Sequence, residues 1–180
     1  MNLPNILSLF RLCLVPVFPL VFFSEVPNAN LWAALIYAIA AGTDVLDGVL
    51  ARRLHKVTRL GRILDPLADK LMGASVIVCV AVRNPFLWWA AGLFCVKEAL
   101  MGVGALVQYK KIDDVPPSDL FGKCAVSFFF GACLAILIFE EAMTVPAKQM
   151  LMGMAMLLSV AALLRYLRRF LKLTKQQQRQ

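Results

Sequence analysis

Apolar residues in this chain fall into six long blocks separated by short polar breaks. The blocks run from Leu3 to Phe23, Leu31 to Leu50, Leu67 to Val82, Phe86 to Tyr109, Leu120 to Phe139 and Ala147 to Leu164. An almost uncharged run of about 18 residues is long enough to cross a bilayer as a helix. The pattern predicts an all-α integral membrane protein, a bundle of six transmembrane helices. The breaks carry turn chemistry at Pro27-Asn28, Asn84-Pro85, Pro116-Pro117-Ser118 and Val145-Pro146. Pro4 suits a first helical turn, where its missing N–H costs little. Pro16 and Pro19 lie inside the first block and are expected to kink it. No internal repeat, long linker or second domain is visible. The chain reads as one membrane domain over residues 1–180, with a short basic tail over about 171–180 expected to fray or lie on the surface.

Composition sharpens this picture. The chain is 61% hydrophobic and only 17% charged, against roughly 25% charged residues in a typical soluble domain. The formal net charge is +8. In so apolar a chain a basic excess points to an anionic membrane surface and anionic substrates, and no nucleic-acid partner is expected. Cys13, Cys79, Cys95, Cys124 and Cys133 sit inside apolar runs without CxxC spacing. They read as buried free thiols rather than disulfides or a zinc site. Arg11 followed by an apolar run looks superficially like a signal peptide, but a basic start and a small-residue cleavage site are missing, so the segment is expected to be retained.

Lysine and arginine placement sets the expected orientation. Arg52, Arg53, Lys56, Arg59 and Arg62 lie between the second and third blocks, Lys110 and Lys111 after the fourth, and Arg165, Arg168, Arg169, Lys172, Lys175 and Arg179 at the end. With six spans these basic stretches share a side with both termini, and that side should be cytoplasmic in the cell (inner or plasma) membrane. Trp32, Trp88 and Trp89 near block ends read as interfacial anchors.

Against this apolar background four aspartates stand out. Asp44 and Asp47 close the second block, and Asp65 and Asp69 open the third. Helical spacing puts Asp44, Asp47, Gly48 and Ala51 within one face, and Asp65 and Asp69 at i and i+4 share a face as well. A short basic loop makes the two helices antiparallel neighbours, so the acidic faces can meet near the cytoplasmic surface. Close carboxylates repel one another, and a divalent cation relieves the repulsion. An all-oxygen set favours Mg2+ or Mn2+, and four carboxylates suffice for two ions sharing ligands. Two such ions suit chemistry on a diphosphate. Gly48, Ala51 and Gly61 allow close approach of a bulky ligand, and Arg52 is placed to meet a phosphate.

Asp44, Asp47, Gly48, Ala51, Arg52, Gly61, Asp65 and Asp69 stand at the fixed positions and spacings of one signature. On these residues the chain resembles the CDP-alcohol phosphotransferase family. Asn2 to Ser8, Arg11, and the stretch Leu64-Asp65-Pro66-Leu67-Ala68-Asp69-Lys70 resemble the bacterial phosphatidylglycerophosphate synthases within it. The likeness is clear over roughly the first 70 residues. It implies a six-span bundle with a polar cavity open to the cytoplasm. It further implies that Asp44, Asp47, Asp65 and Asp69 ligate the metals, with Asp69 a shared ligand or the general base. Asn5, Ser8, Gly48, Ala51, Arg52 and Gly61 would bind the CDP-lipid. The implied reaction is attack of an acceptor hydroxyl on CDP-diacylglycerol with release of CMP, and the leading acceptor is glycerol 3-phosphate. Many members of the family form homodimers.

An acceptor carrying its own phosphate needs a second basic site, for which the residues offer Lys97, Lys123, Arg62 and Lys70. The Lys97-Glu98 pair inside an apolar block also reads as a self-neutralising structural pair. Phosphatidylglycerol, as in cardiolipin synthesis, and inositol phosphate are alternative acceptors for the same chemistry. A divalent-cation transporter is the reading from another class, although the paired broken helices of two repeated halves are missing. His55, in the basic loop, reads as a solvated residue.

Overall fold

The computed structural model describes the backbone of residues 3–54, 61–111 and 120–177, and the side chains of residues 6–43, 64–102 and 120–168. Six α-helices account for nearly all of it: α1 (Leu3–Phe22), α2 (Ala29–Leu54), α3 (Gly61–Arg83), α4 (Trp88–Lys111), α5 (Leu120–Ile138) and α6 (Val145–Gln177). A single 3-10 turn, Pro85–Leu87, leads into α4. Each apolar block has become one helix, and no strand occurs among the described residues.

Two boundaries differ most from the apolar pattern. Helix α3 begins at Gly61, ahead of the apolar block, and carries Pro66 inside it. Asp65 in this first stretch faces Arg11 and Ser8 of α1 rather than lipid, so hydropathy under-reads the helix. Helix α6 continues to Gln177, through most of the basic tail that was expected to fray. Lys, Arg, Leu and Gln are good helix formers, so propensity carries the helix past the apolar run. Helix α1 stays continuous through Pro16 and Pro19. Pro19 has no N–H to offer the Val15 carbonyl one turn earlier. The Ser75 hydroxyl of α3 donates to that oxygen instead, at 3.4 Å.

Helix α3 is the axis of the bundle, packing on α1, α2, α4 and α5, while α5 pairs with α6. The core is built from Phe18, Phe22, Val76, Ile77, Ile136, Leu137, Met152 and Met156. Buried alanines at 33, 34, 40, 90, 91, 132 and 155 let helix backbones approach closely. Outward faces stay apolar: Leu157 is 73% exposed. Helices α5 and Val145–Arg168 of α6 are long and apolar enough to cross a membrane, and shorter apolar stretches cover Ile6–Phe22 and Ala29–Thr43. All five cysteines are free thiols, but only Cys79 and Cys133 are buried; Cys13, Cys95 and Cys124 lie on outward faces. Placement inside an apolar run did not separate inner from outer helix faces.

One end of the bundle is tied by polar groups. Asn28 takes a positive φ of 59°, which asparagine tolerates, and its carbonyl accepts from Leu31 and Trp32 as α2 begins. Arg83, closing α3, donates to the Phe22 carbonyl at 2.7 Å, to Glu140 at 3.1 Å and to the Asn30 side chain. Its guanidinium also stacks 3.9 Å from the Phe22 ring centroid. The buried Lys148 ammonium of α6 donates to Asn84 Oδ1 at 3.0 Å. Ends of α1, α2, α3, α5 and α6 thus share one network. Trp32, Trp88 and Trp89, all partly exposed, sit at the same end. Asn84→Ala strands the Lys148 ammonium without that acceptor, and an unsatisfied buried charged group costs about 2–3 kcal/mol. A detergent thermal melt is expected to show a midpoint lowered by about 4–12 °C, at about 2–4 °C per kcal/mol for a chain of this size.

Candidate active site

The other end of the bundle collects the chemistry. Asp65 and Asp69 lie one turn apart near the start of α3. Helix α1 lies against this face and presents Ser8 and Arg11, three residues apart and therefore on one side of the helix. Arg11 Nη1 donates to Asp65 Oδ1 at 3.2 Å, and Ser8 Oγ donates to the same oxygen at 3.4 Å. Arg11 is 1% exposed, whereas the Asp65 side chain remains 39% exposed. A fully buried arginine is rare unless paired, and a charge-assisted bond to a carboxylate is the partner it needs. Ser8, expected to touch the CDP-lipid, is buried against Asp65.

Asp69, the next acidic residue on α3, lines a cavity of about 410 Å3 to which all six helices contribute. That volume suits a small ligand, pockets for which run from about 300 to 1,000 Å3. Its polar wall holds Arg11, Asp69, Lys70, Lys97 and Glu98. Its deeper wall is apolar and aromatic, with Met72, Phe94, Phe129 and Phe130. Gly73 lies under the Phe94 ring, whose tip stands 3.0 Å from where a Cβ would be. Phe94 is held in turn by stacking on Phe129 at 4.8 Å. A side chain at position 73 would push this ring out of the cavity floor.

Lys70 and Lys97, both expected at the acceptor phosphate, are brought together through Glu98. Lys97 Nζ lies 2.5 Å from Glu98 Oε1, and Lys70 Nζ lies 3.3 Å from Oε2. The Lys97 ammonium also sits 5.0 Å above the Phe94 ring. One carboxylate between two ammoniums leaves a net positive charge on the cavity wall. Lys123 is exposed near the start of α5 and is not one of the residues lining the cavity. Arg62, Asn5, Gly48, Ala51, Arg52 and Gly61 have side chains outside those described, and His55 and the Pro116-Pro117-Ser118 turn lie outside the described residues altogether.

Asp44 and Asp47 belong to the backbone of α2, but their side chains also lie outside the described set. The α2 residues just before them, Ala41 and Gly42, wall the cavity that Asp69 lines. Among the described residues Asp65 and Asp69 are therefore the acidic pair, and no group of three metal-ligating side chains is formed. The pair offers oxygen donors only, which is the donor chemistry of a hard divalent ion. Arg11 as the partner of Asp65, Glu98 as the link between lysines, and Tyr37 in the cavity wall were not assigned from sequence. A lone arginine inside an apolar block was the available signal for the first.

Comparison with known proteins finds relatives and a family for this chain. Relatives from Escherichia coli, Shigella sonnei and Shigella flexneri, each called CDP-diacylglycerol–glycerol-3-phosphate 3-phosphatidyltransferase, are 47% identical to this chain over 88 residues. That stretch is 49% of this chain and 48% of each relative, so the match spans about half the length of the curated relatives. The family model for CDP-alcohol phosphatidyltransferases matches residues 1–161, nearly the whole bundle and both pairs of aspartates. An all-helical chain that carries the complete aspartate signature and matches that model from its first residue into α6 belongs to the CDP-alcohol phosphatidyltransferase family.

Proposed function

We propose that this chain transfers a phosphatidyl group from CDP-diacylglycerol to glycerol 3-phosphate, releasing CMP and forming phosphatidylglycerol phosphate. The observation that carries the reading is Asp69 lining a cavity whose wall also bears Arg11, Lys70 and Lys97. A carboxylate beside a cationic wall is what a phosphorylated alcohol requires. Its hydroxyl needs a base, and its phosphate needs positive charge. The name carried by the relatives supports the same acceptor.

The residues divide the work. Asp69 accepts the proton of the acceptor hydroxyl as the oxygen attacks the β-phosphorus of the CDP-lipid; the P–O bond to CMP breaks, and CMP leaves with the electron pair. Lys70 and Lys97, steered by Glu98, hold the acceptor phosphate. Arg11 and Ser8 fix the rotamer of Asp65. Asp44, Asp47, Asp65 and Asp69 would hold two divalent ions, Mg2+ or Mn2+, which when bound neutralise the diphosphate and its leaving oxygen. Arg52, Gly48, Ala51, Gly61 and Asn5 take the cytidine diphosphate side of the site.

The apolar outward faces, the tryptophans at the Arg83 end and the basic residues at the aspartate end support a six-span arrangement in the cell membrane. In it the site and both termini face the cytoplasm. The test is purified full-length protein with labelled CDP-diacylglycerol. CMP release is expected to require both glycerol 3-phosphate and a divalent ion. Excess chelator should lower it by more than about a hundredfold, and Mg2+ or Mn2+ should restore it. Ion flux across vesicles without CMP release would replace this reading with a transporter.

A further inference from the structure

Two buried hydroxyls in the cavity wall take no part in the scheme above. Tyr37 of α2 is 5% exposed and Ser159 of α6 is also buried, and both line the cavity that holds Asp69. Neither hydroxyl forms a hydrogen bond among the described residues, where Ser8, Ser24, Thr43 and Ser75 all do. Buried tyrosines ordinarily find a partner for the phenol, because an unpaired polar group in an apolar interior is costly. The ring itself is fixed. It packs edge-on against Phe18 at 6.3 Å and tilted on Phe130 at 4.4 Å. The phenol is thus preset on the wall of the cavity that Asp69 also lines.

We infer that Tyr37, assisted by Ser159, recognises the hydroxyl of the acceptor that is not attacked, so that the site selects a vicinal diol phosphate over a simple alcohol phosphate. This rests on the acceptor reading above. Lys70 and Lys97 stand on the wall for the phosphate, Asp69 for the attacked hydroxyl, and the two further hydroxyls come from other helices, α2 and α6. Hydroxyls both donate and accept, so the pair can satisfy a further alcohol in either sense. A site that presents buried polar groups to a substrate hydroxyl strongly rejects the analogue lacking it.

The experiment compares glycerol 3-phosphate with 3-hydroxypropyl phosphate, which lacks only the middle hydroxyl, using the full-length protein in detergent with CDP-diacylglycerol. The wild type is expected to prefer the diol by about 30-fold in kcat/KM. Tyr37→Phe should lose about tenfold on the diol, less than about twofold on the deoxy acceptor, and leave the KM for CDP-diacylglycerol unchanged. Ser159→Ala should move the same ratio in the same direction by a smaller factor, and carries the test if Tyr37→Phe fails to fold. Equal losses on both acceptors, or no preference in the wild type, overturn the assignment. If the wild type releases no CMP with glycerol 3-phosphate, the acceptor reading falls instead. Calorimetric binding of the two phosphates then decides the hydroxyl assignment: tighter binding of the diol that Tyr37→Phe abolishes upholds it, and equal affinities in the wild type remove it.

Discussion

Asp69→Asn is expected to lower CMP release by about a thousandfold while CDP-diacylglycerol still binds within a few-fold of wild type. The substitution keeps the shape and one oxygen of the side chain but removes its ability to accept a proton, and a positioned general base contributes about 10²–10⁴ in rate. Asp69 lines the cavity, whereas Asp65 is engaged by Arg11 and Ser8. The two carboxylates therefore sit in different surroundings although they are one turn apart. Single-turnover CMP release and equilibrium binding of the CDP-lipid separate the two effects. A variant that turns over at near-normal rates removes Asp69 from the base role; one that loses lipid binding in proportion to rate makes it a ligand-holding residue only.

Arg11→Ala has the second largest expected effect, and it acts on both stability and activity. The substitution empties a fully buried site and leaves Asp65 without its cation. Breaking a buried ion pair from one side costs about 3–5 kcal/mol. Because Asp65 is partly exposed, the lower end of that range applies, about 3 kcal/mol before the void is counted. The thermal midpoint should fall by about 6–12 °C. Mn2+ affinity, followed by electron paramagnetic resonance, should weaken by about tenfold, the cost typical of losing a group that orients a metal-ligating side chain. Arg11→Lys keeps a cation but not the same reach or fork, so it should recover part of the stability and less of the metal affinity. Unchanged Mn2+ binding in Arg11→Ala would reduce Arg11 to a packing residue.

The contrast between these two residues shows what the chain displays openly and what it hides. Asp69 was legible because carboxylates are costly in an apolar block and its spacing to Asp65 is helical. The six helices were legible for the same reason in reverse, since apolar runs long enough to cross a bilayer have few other uses. Arg11 was not legible as a site residue. Its partner lies 54 residues away on another helix, and nothing local distinguishes a buried arginine from one near a membrane surface. Glu98 read as the neutraliser of its neighbour Lys97, yet its second oxygen reaches Lys70 on α3. Tyr37 looked like any aromatic in a core. Only the packing of six helices around one cavity brings it to the same wall as Asp69 and Lys97. The early start of α3 escaped the hydropathy pattern because site-facing polar residues mask a helix when only its lipid-facing side is apolar.

The knot of Arg83, Glu140, Asn84 and Lys148 has a mechanical meaning. Five helix ends share it, while the aspartates lie at the far pole, beyond several turns of Ala- and Val-lined packing. A clasp shared by five rods fixes their spacing at the Arg83 pole, so shifting any one of them there must break a contact to a neighbour.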